Sequence, residues 1–304
     1  MKICPNCYNT TSKSIMKYRG FSKIFEKKYI VSCLNCEIGY VYPQPSKVDI
    51  SNYNKNYFKN AHAYEKQSSI IDNYNNAISK VRLLFLSDHI QYYKKKINNI
   101  LEIGPGYGHL MINWLTKYPK SKYFIDETDV SLLSKLKSRG PFLISNNLKQ
   151  KKIDLVIISH VLEHSLKPIQ FIKEKSKFLK KGGLIFIEVP CNDYIYKNNF
   201  EPHTLFFSKK SLQFTLIKSG FKKINLSYHG NTHNNIIYFQ LIKKVILKLS
   251  TILKLPVNFF FIKKIPTKIK EKLNQEECKS LILTSPHKTS ENPSRWLRAI
   301  AEKV

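Results

Sequence analysis

From residue 97 onward, this 304-residue chain predicts an α/β fold built on one mostly parallel sheet. Short apolar runs typical of buried strands alternate there with segments of helical periodicity. Parallel strands need a crossover between them, so the alternation places helices on both faces of the sheet. A glycine-rich turn at residues 104–108, directly after the first strand, marks an edge where a ligand could approach the backbone.

Seven strands are expected, the third from the weakest pattern. They are Asn99–Ile103, Lys122–Asp126, Phe142–Ser145, Ile153–Ser159, Gly183–Val189, Lys223–Tyr228 and Lys279–Thr284. The helices predicted between them are Leu110–Lys117, Ser131–Ser138, Pro168–Leu179 and Lys209–Ser219. A longer helical pattern over residues 68–97 precedes the sheet, with apolar side chains at three- and four-residue spacing.

These patterns divide the chain into three regions. Residues 1–60 form a cysteine-containing amino-terminal region, residues 61–96 a helical connector, and residues 97–304 the α/β domain. Within the last region, residues 236–275 form a basic amphipathic insertion. A helix packed on the domain, as a lid or a dimer surface, is the simpler interpretation of this insertion. The alternative is an interfacial helix that contacts anionic lipid.

The net charge of +30 indicates attraction to anionic partners. Only five of the 51 basic residues are arginine, the side chain that reads bases and clamps phosphates bidentately. Composition therefore makes nucleic acid the less favoured substrate. The amino terminus lacks an apolar signal segment, and no apolar run approaches the roughly 20 residues of a membrane span. We expect a cytoplasmic protein, with any membrane contact made peripherally, at the inner face, through residues 236–275.

Two Cys-x-x-Cys pairs lie in the amino-terminal region, Cys4 with Cys7 and Cys33 with Cys36. In the cytoplasm such cysteines are metal ligands or thiols more often than disulfides. Each spacing lets both thiolates of one turn bind the same ion, and two turns complete a tetrahedral zinc site. Four protein ligands leave no open position, so we expect a structural role for the zinc. A redox pair is the alternative.

The glycine turn distinguishes between cofactor classes. Glycine occupies every second position of residues 104–108, and His109 stands where a dinucleotide-binding fingerprint needs a third glycine. With Glu102 before it, this Gly-x-Gly-x-Gly turn resembles motif I of class I S-adenosylmethionine-dependent methyltransferases.

Further segments extend the resemblance. They are residues 153–164, which end in Leu-Glu-His; residues 180–190, a glycine turn and strand; and residues 203–221, with H-x-x-F-F-S, then SL and GF. The cysteine pairs, residues 39–45 and the aromatic residues up to Phe58 are similar to zinc-knuckle methyltransferases associated with sugar and surface-polysaccharide biosynthesis. The resemblance covers nearly all of the chain except residues 236–275. It implies a Rossmann-like, seven-stranded sheet whose last strand is antiparallel.

The resemblance also implies how S-adenosylmethionine is held. The residues expected to bind it are Glu102, Gly104, Gly106, Gly108, Glu127, Asn147, Ser159 and His160. The glycine turn would contact the methionine part of the cofactor, and Glu102 its ammonium group. Glu127, favoured over Asp126 and Asp129, would accept both ribose hydroxyls. Asn147 stands where many relatives carry an aspartate near the adenine.

Methyl transfer from a sulfonium needs alignment of the nucleophile, and a hydroxyl or amine acceptor also benefits from a base. His203, in the loop after the fifth strand, is the first candidate for this base; His164 is the second, and Glu201 could assist. The letters His160-x-x-Glu163-His164 also match a zinc-peptidase pattern. That mechanism needs both histidines on one helical face, and a strand leading directly into His160 is the wrong context.

Three functions follow from these observations. Methylation of a sugar, glycan or related small metabolite is favoured. Methylation of RNA is the alternative, because zinc knuckles and strong basicity also suit RNA. A non-catalytic scaffold with this fold is the third, and the intact glycine turn, Glu102 and Glu127 argue against it.

Overall fold

A computed structural model describes residues 2–61, 69–145, 148, 152–238, 240–241 and 290–304. The strands are β1 (Ser12–Lys17), β2 (Tyr29–Cys33), β3 (Gly39–Tyr42), β4 (Asn99–Ile103), β5 (Lys122–Asp126), β6 (Leu143–Ile144), β7 (Ile153–Ser159), β8 (Leu179–Pro190), β9 (Leu205–Phe206), β10 (Phe221–Thr232) and β11 (Ser294–Lys303). The helices are α1 (Lys47–Lys55), α2 (Tyr57–Ala61), α3 (Ser69–Tyr92), α4 (His109–Lys117), α5 (Val130–Lys137), α6 (Pro168–Lys175) and α7 (Lys209–Lys218).

The larger sheet has the strand order β10-β11-β8-β7-β4-β5-β6. Its strands pair in parallel except β11, which runs antiparallel to both β8 and β10. The expected α/β, Rossmann-like sheet with an antiparallel last strand is therefore confirmed. Because β4 and β7 are neighbours, with Ile103 beside Ile158, the turns that follow these two strands meet at one edge.

The strand residues are apolar on both sides because helices cover both faces of this sheet. On β7, Leu155 and Ile157 pack in a cluster with side chains of α3 and α4, whereas Val156 and Ile158 pack in a cluster with side chains of α6 and α7. All four are fully buried. Burying each contributes roughly 2 kcal/mol, which explains why β7 reads as a continuous apolar run.

The last strand in the chain, β11, does not follow a simple apolar pattern. The sequence pattern does not predict β11, because Arg298 interrupts the apolar residues in the middle of the strand. This side chain is only 1% exposed, and its Nε lies 2.5 Å from Oε2 of Glu188 on the adjacent β8. A buried ion pair therefore takes the place of an apolar cross-strand contact, and periodicity cannot anticipate such a pair.

Several predictions fall on residues that the structure does not describe. They are the strand at Lys279–Thr284, the cofactor ligand Asn147, and residue 239 and residues 242–275 of the insertion. In the part of the chain that is described, no helix is both long and apolar enough to cross a membrane.

The smaller sheet has the order β1-β2-β3-β9, and its strands are antiparallel. Its fourth strand does not come from the amino-terminal region: β9 follows β8, and Tyr40 of β3 pairs with Leu205. The backbone N–H of Val41 also donates to the carbonyl of Thr204 at 3.0 Å. The cysteine-containing region is thus joined to the loop after β8, while the domain boundaries at residues 60 and 96 stay predictions.

Candidate functional site

A cavity of about 550 Å³ lies at the carboxyl ends of β4, β5 and β7. It is lined by Asn54, Tyr57, Phe58, Tyr74, Asn75, Ser79, Arg82, Glu102, Gly104, Pro105, Gly106, Tyr107, His109, Leu110, Glu127, Thr128, Ser159, His160, Val161 and His164. Open α/β sheets bind their ligands at this edge, and the volume is typical of small-molecule sites. Seven predicted site residues therefore meet in one place: Glu102, Gly104, Gly106, Glu127, Ser159, His160 and His164.

The turn after β4 requires glycine. Gly104 and Gly106 have φ values of +63° and +56°, in the left-handed region. A Cβ on Gly104 would lie 2.6 Å from Cγ2 of Val161, so the position has no room for a side chain. At Gly106 the nearest atom, Cζ of Phe58, would be 3.9 Å away, which is an ordinary contact distance, so the position has room for a Cβ. Gly108 does not line the cavity and instead forms the N-cap of α4.

Glu102 lies beneath this turn and is 4% exposed. The hydroxyl of Tyr123 donates to its Oε2 at 2.8 Å. Burial raises the pKa of Glu102 to about 7, because a carboxylate is poorly solvated there. A cationic group in the cavity would restore the ionised form, so the position suits an ammonium ligand.

Three acidic residues lie at the end of β5 or just after it, and the structure separates their roles. The Oε1 of Glu127 accepts hydrogen bonds from the backbone N–H groups of Thr128 and Asp129, and its side chain lines the cavity. Burial raises its pKa. Asp126 pairs with Lys175 at 2.6 Å, and Asp129 caps the first turn of α5. Among the three, only Glu127 faces the cavity.

A buried charge network lies beside the cavity, and sequence analysis missed it. The carboxylate of Glu188 binds Arg82 (Nε to Oε1, 2.7 Å) and Arg298, while Nε2 of His160 lies 3.1 Å from Oε1. Burial would raise the pKa of Glu188, but the two arginines and His160 hold it well below its usual value. A lone acid inside the apolar run of β8 was the available signal, since a buried charge requires a partner.

The predicted base candidates occupy different positions. His164 lines the cavity, with its ring 5.5 Å from that of Tyr57. His203 does not line it; its ring lies 5.1 Å from that of His164. The Nδ1 of His203 is 2.8 Å from Oδ2 of Asp193, a buried acid that sequence analysis did not single out. His203 and the charge of Lys197 lower the pKa of Asp193 although burial opposes this.

Glu201 is not part of this group. Its Oε2 accepts hydrogen bonds from the backbone N–H groups of Phe21 and Ser22, at 2.7 and 2.9 Å. It therefore holds the loop after β1, and the expectation that it assists a base has no support from its contacts.

The His-x-x-Glu-His segment forms a tight turn after β7. His160 has a left-handed φ of +54°, and residues Leu162–His164 form a 3₁₀ turn rather than an α-helix. This differs from the helical arrangement of a zinc peptidase. Burial lowers the pKa of His164 to about 4. Burial would raise the pKa of Glu163, but the adjacent His160 and the charges of the other nearby histidines lower it to about 2.

The four predicted zinc ligands converge. The Sγ atoms of Cys4 and Cys36 are 3.7 Å apart, those of Cys7 and Cys33 are 3.4 Å apart, and all four lie within 4.8 Å of one another. Tetrahedral zinc with bonds of about 2.3 Å separates its sulfurs by about 3.8 Å. The cluster therefore fits zinc. Asn6 donates to the Sγ of Cys36 at 3.5 Å and accepts a hydrogen bond from α7, which orients the cluster.

A family model described as a methyltransferase domain matches residues 72–226, half of the chain. The match begins in α3 and ends in β10, so it includes the glycine turn, Glu127 and the His-x-x-Glu-His turn. No curated protein matches the sequence.

Solved methyltransferases are similar to the chain at low identity. A SAM-dependent methyltransferase from Archaeoglobus fulgidus is 17% identical, covers 73% of this chain and 94% of its own length, and has a TM-score of 0.44. A possible histamine N-methyltransferase from Thermotoga maritima is 17% identical, with coverages of 77% and 96% and a TM-score of 0.44. The plantazolicin methyltransferase BpumL bound to SAH is 12% identical, with coverages of 84% and 98% and a TM-score of 0.45.

Proposed function

This chain belongs to the family of S-adenosylmethionine-dependent methyltransferases, and from that premise we propose that it methylates a sugar, glycan or related small metabolite. The acceptor carries a hydroxyl or amine and is of the kind used in surface-polysaccharide biosynthesis. The observation that carries this proposal is the cavity, which has small-molecule dimensions and polar groups at both of its ends.

The cofactor end of the cavity is the glycine turn. Bound S-adenosylmethionine supplies the methyl group as a sulfonium. Gly104 and Gly106 leave backbone groups accessible to its methionine part, because neither places a Cβ in the cavity. Glu102 pairs with the ammonium group, and Glu127, with one oxygen fixed by backbone N–H groups, accepts from the ribose hydroxyls. Ser159 and His160 line the opposite side, at the end of β7.

The acceptor end is formed by Tyr57 and His164, with Asn54 nearby. The proton of the acceptor leaves at this imidazole end, where His164 is the one of the two candidate histidines that lines the cavity. His203, the first candidate from the sequence, acts behind it, held by Asp193 and by the hydroxyl of Tyr18, which donates to its carbonyl at 3.0 Å. The geometry thus supports His164 as the first candidate for the base and His203 as the second.

The charge of the cavity favours a small acceptor over RNA. Among its described lining residues, Arg82 is the single lysine or arginine, and it is paired with Glu188. Two acids, Glu102 and Glu127, also line the cavity. A phosphate backbone needs unpaired cations along its path. The described lining of the cavity therefore offers no run of unpaired cations to a polyanion.

The test is methyl transfer from radiolabelled S-adenosylmethionine to two panels, nucleotide-linked sugars and total RNA. We expect label in a sugar and none in RNA. Gly106→Arg is the matched inactive variant, because its side chain fills the cofactor end; it should bind no S-adenosylmethionine in calorimetry. Label in RNA would replace the sugar proposal with the alternative. A wild-type protein that binds no S-adenosylmethionine would overturn the proposed function altogether.

A further inference from the structure

Glu163 is a buried carboxylate without a hydrogen-bond donor. It is 1% exposed, and within the described part of the chain neither of its oxygens accepts a hydrogen bond. Imidazole nitrogens are its neighbours instead: Nδ1 of His160 lies 3.4 Å from Oε1, and Nε2 of His164 lies 3.9 Å from it. A buried carboxylate is costly unless a cation or donors compensate it, so the position calls for a positive partner.

Two histidines beside Glu163 have Nδ1 close to an oxygen atom of another residue. The Nδ1 of His203 lies 2.8 Å from Asp193, and Nδ1 of His164 lies 3.5 Å from the carbonyl oxygen of Pro202. An oxygen beside Nδ1 favours a proton on that nitrogen, which leaves the lone pair of Nε2 for another partner. A carboxylate or carbonyl at the far nitrogen is the usual support of a metal-binding histidine.

We propose that Glu163, His164 and His203 bind a divalent transition-metal ion. One ligand atom from each residue lies within 4.8 Å of the other two. Two imidazoles and one carboxylate are a ligand set that suits ions such as zinc, cobalt or iron. Ligands about 2.1 Å from a tetrahedral ion are about 3.4 Å apart, so small side-chain rotations complete the site.

This site differs in chemistry from the cysteine cluster. Four thiolates close a structural zinc site, whereas three nitrogen and oxygen ligands leave a coordination position open. His164 lines the cavity, so the open position of the ion is accessible to an acceptor there. The role of the ion rests on the proposed function: coordination lowers the pKa of the acceptor hydroxyl, its O–H bond breaks, and the proton passes to solvent.

The experiment is a titration of the zinc-loaded protein with Co²⁺, followed by visible absorption. With the cysteines occupied by zinc, we expect one Co²⁺ per chain and d–d bands without thiolate charge transfer. Glu163→Gln and His203→Asn should abolish the bands. Asp193→Asn, which removes the carboxylate beside His203 and Lys197, should weaken Co²⁺ binding about 10- to 100-fold. Circular dichroism establishes that each variant is folded.

Glu201→Gln is the matched control, since it removes a carboxylate two residues from His203 that contacts the backbone of residues 21 and 22 instead. It should bind Co²⁺ like the wild type. Absent bands, bands with thiolate charge transfer only, or equal binding by folded Glu163→Gln would overturn the metal site. Measuring S-adenosylmethionine binding by the same samples separates the two proposals. A protein that binds S-adenosylmethionine but does not bind Co²⁺ refutes the metal site and leaves the proposed function intact.

Discussion

The two ends of the cavity are built differently. The glycine end comes from one continuous segment, residues 102–107, together with Glu127 after the adjacent strand. The imidazole end is assembled from α2, the turn after β7 and the long loop between β8 and β9, whose His203 and Asp193 are brought behind His164. The comparison shows that the glycine end is encoded locally, whereas the imidazole end depends on contacts between distant segments.

The amino-terminal sheet supports the imidazole end in particular. Tyr18 donates to the carbonyl of His203, and β3 pairs with β9 immediately after it. The glycine end is positioned by β4 and its neighbours β5 and β7 in the larger sheet. Changes in one region should therefore affect one end of the cavity more than the other.

The largest expected effect is at the glycine end. In Gly104→Ala the new Cβ would lie 2.6 Å from Val161, so the turn must shift, and we expect S-adenosylmethionine affinity to fall roughly 100-fold, about 3 kcal/mol. Gly220→Ala is the matched control: its φ is +91°, but nothing lies within 4 Å of the added atom. It should lose about 1–2 kcal/mol of stability from strain and keep its affinity. Calorimetry that finds equal affinity losses would contradict a specific role for the turn.

Removing the predicted zinc should affect the two ends of the cavity differently. Replacing Cys33 and Cys36 by serine should release zinc, loosen the amino-terminal sheet and reduce methyl transfer about tenfold or more, because β3 no longer holds β9 in place. S-adenosylmethionine affinity should change only slightly. Elemental analysis and calorimetry measure the two quantities.

Cys191→Ala is the control for this experiment, since it removes a buried thiol outside the cluster. It should retain zinc. Parallel losses of cofactor affinity and methyl transfer in the double serine variant would show that the two ends are not independently supported.

The smallest effect concerns pH at the glycine end. The folded pKa of Glu102, about 7, lies above its ordinary value of 4.5, so the folded protein binds the proton more tightly than the unfolded chain. The free energy of unfolding of the ligand-free protein should therefore fall as pH rises between these values. S-adenosylmethionine affinity should rise by up to about tenfold per pH unit below pH 7, as the carboxylate forms.

Glu102→Gln should remove both pH dependences while keeping the hydrogen bond with Tyr123. Calorimetry of both proteins measures their S-adenosylmethionine affinity between about pH 5.5 and about pH 8, a range that brackets the pKa of Glu102. A wild-type affinity that does not vary with pH would place the ammonium group away from Glu102.

The sequence by itself determined the features whose chemistry is local. Three such features are the positive-φ glycines after a strand, the Cys-x-x-Cys turns and the alternation of strands and helices. Each depends on a few neighbouring residues, so the sequence pattern is enough to predict it. Glu127 lines the cavity whereas Asp126 and Asp129 do not, because the positions after β5 are fixed by the start of α5; its binding of the ribose stays a prediction.

Tertiary structure decided what depends on pairing across the fold. It placed β11 in the sheet through the buried pair of Arg298 and Glu188, gave His164 rather than His203 the cavity surface, and set Asp193 behind His203. A buried charge is tolerated only beside a partner, and that partner lies far along the chain. For this reason the imidazole end became visible only when the distant segments were seen together.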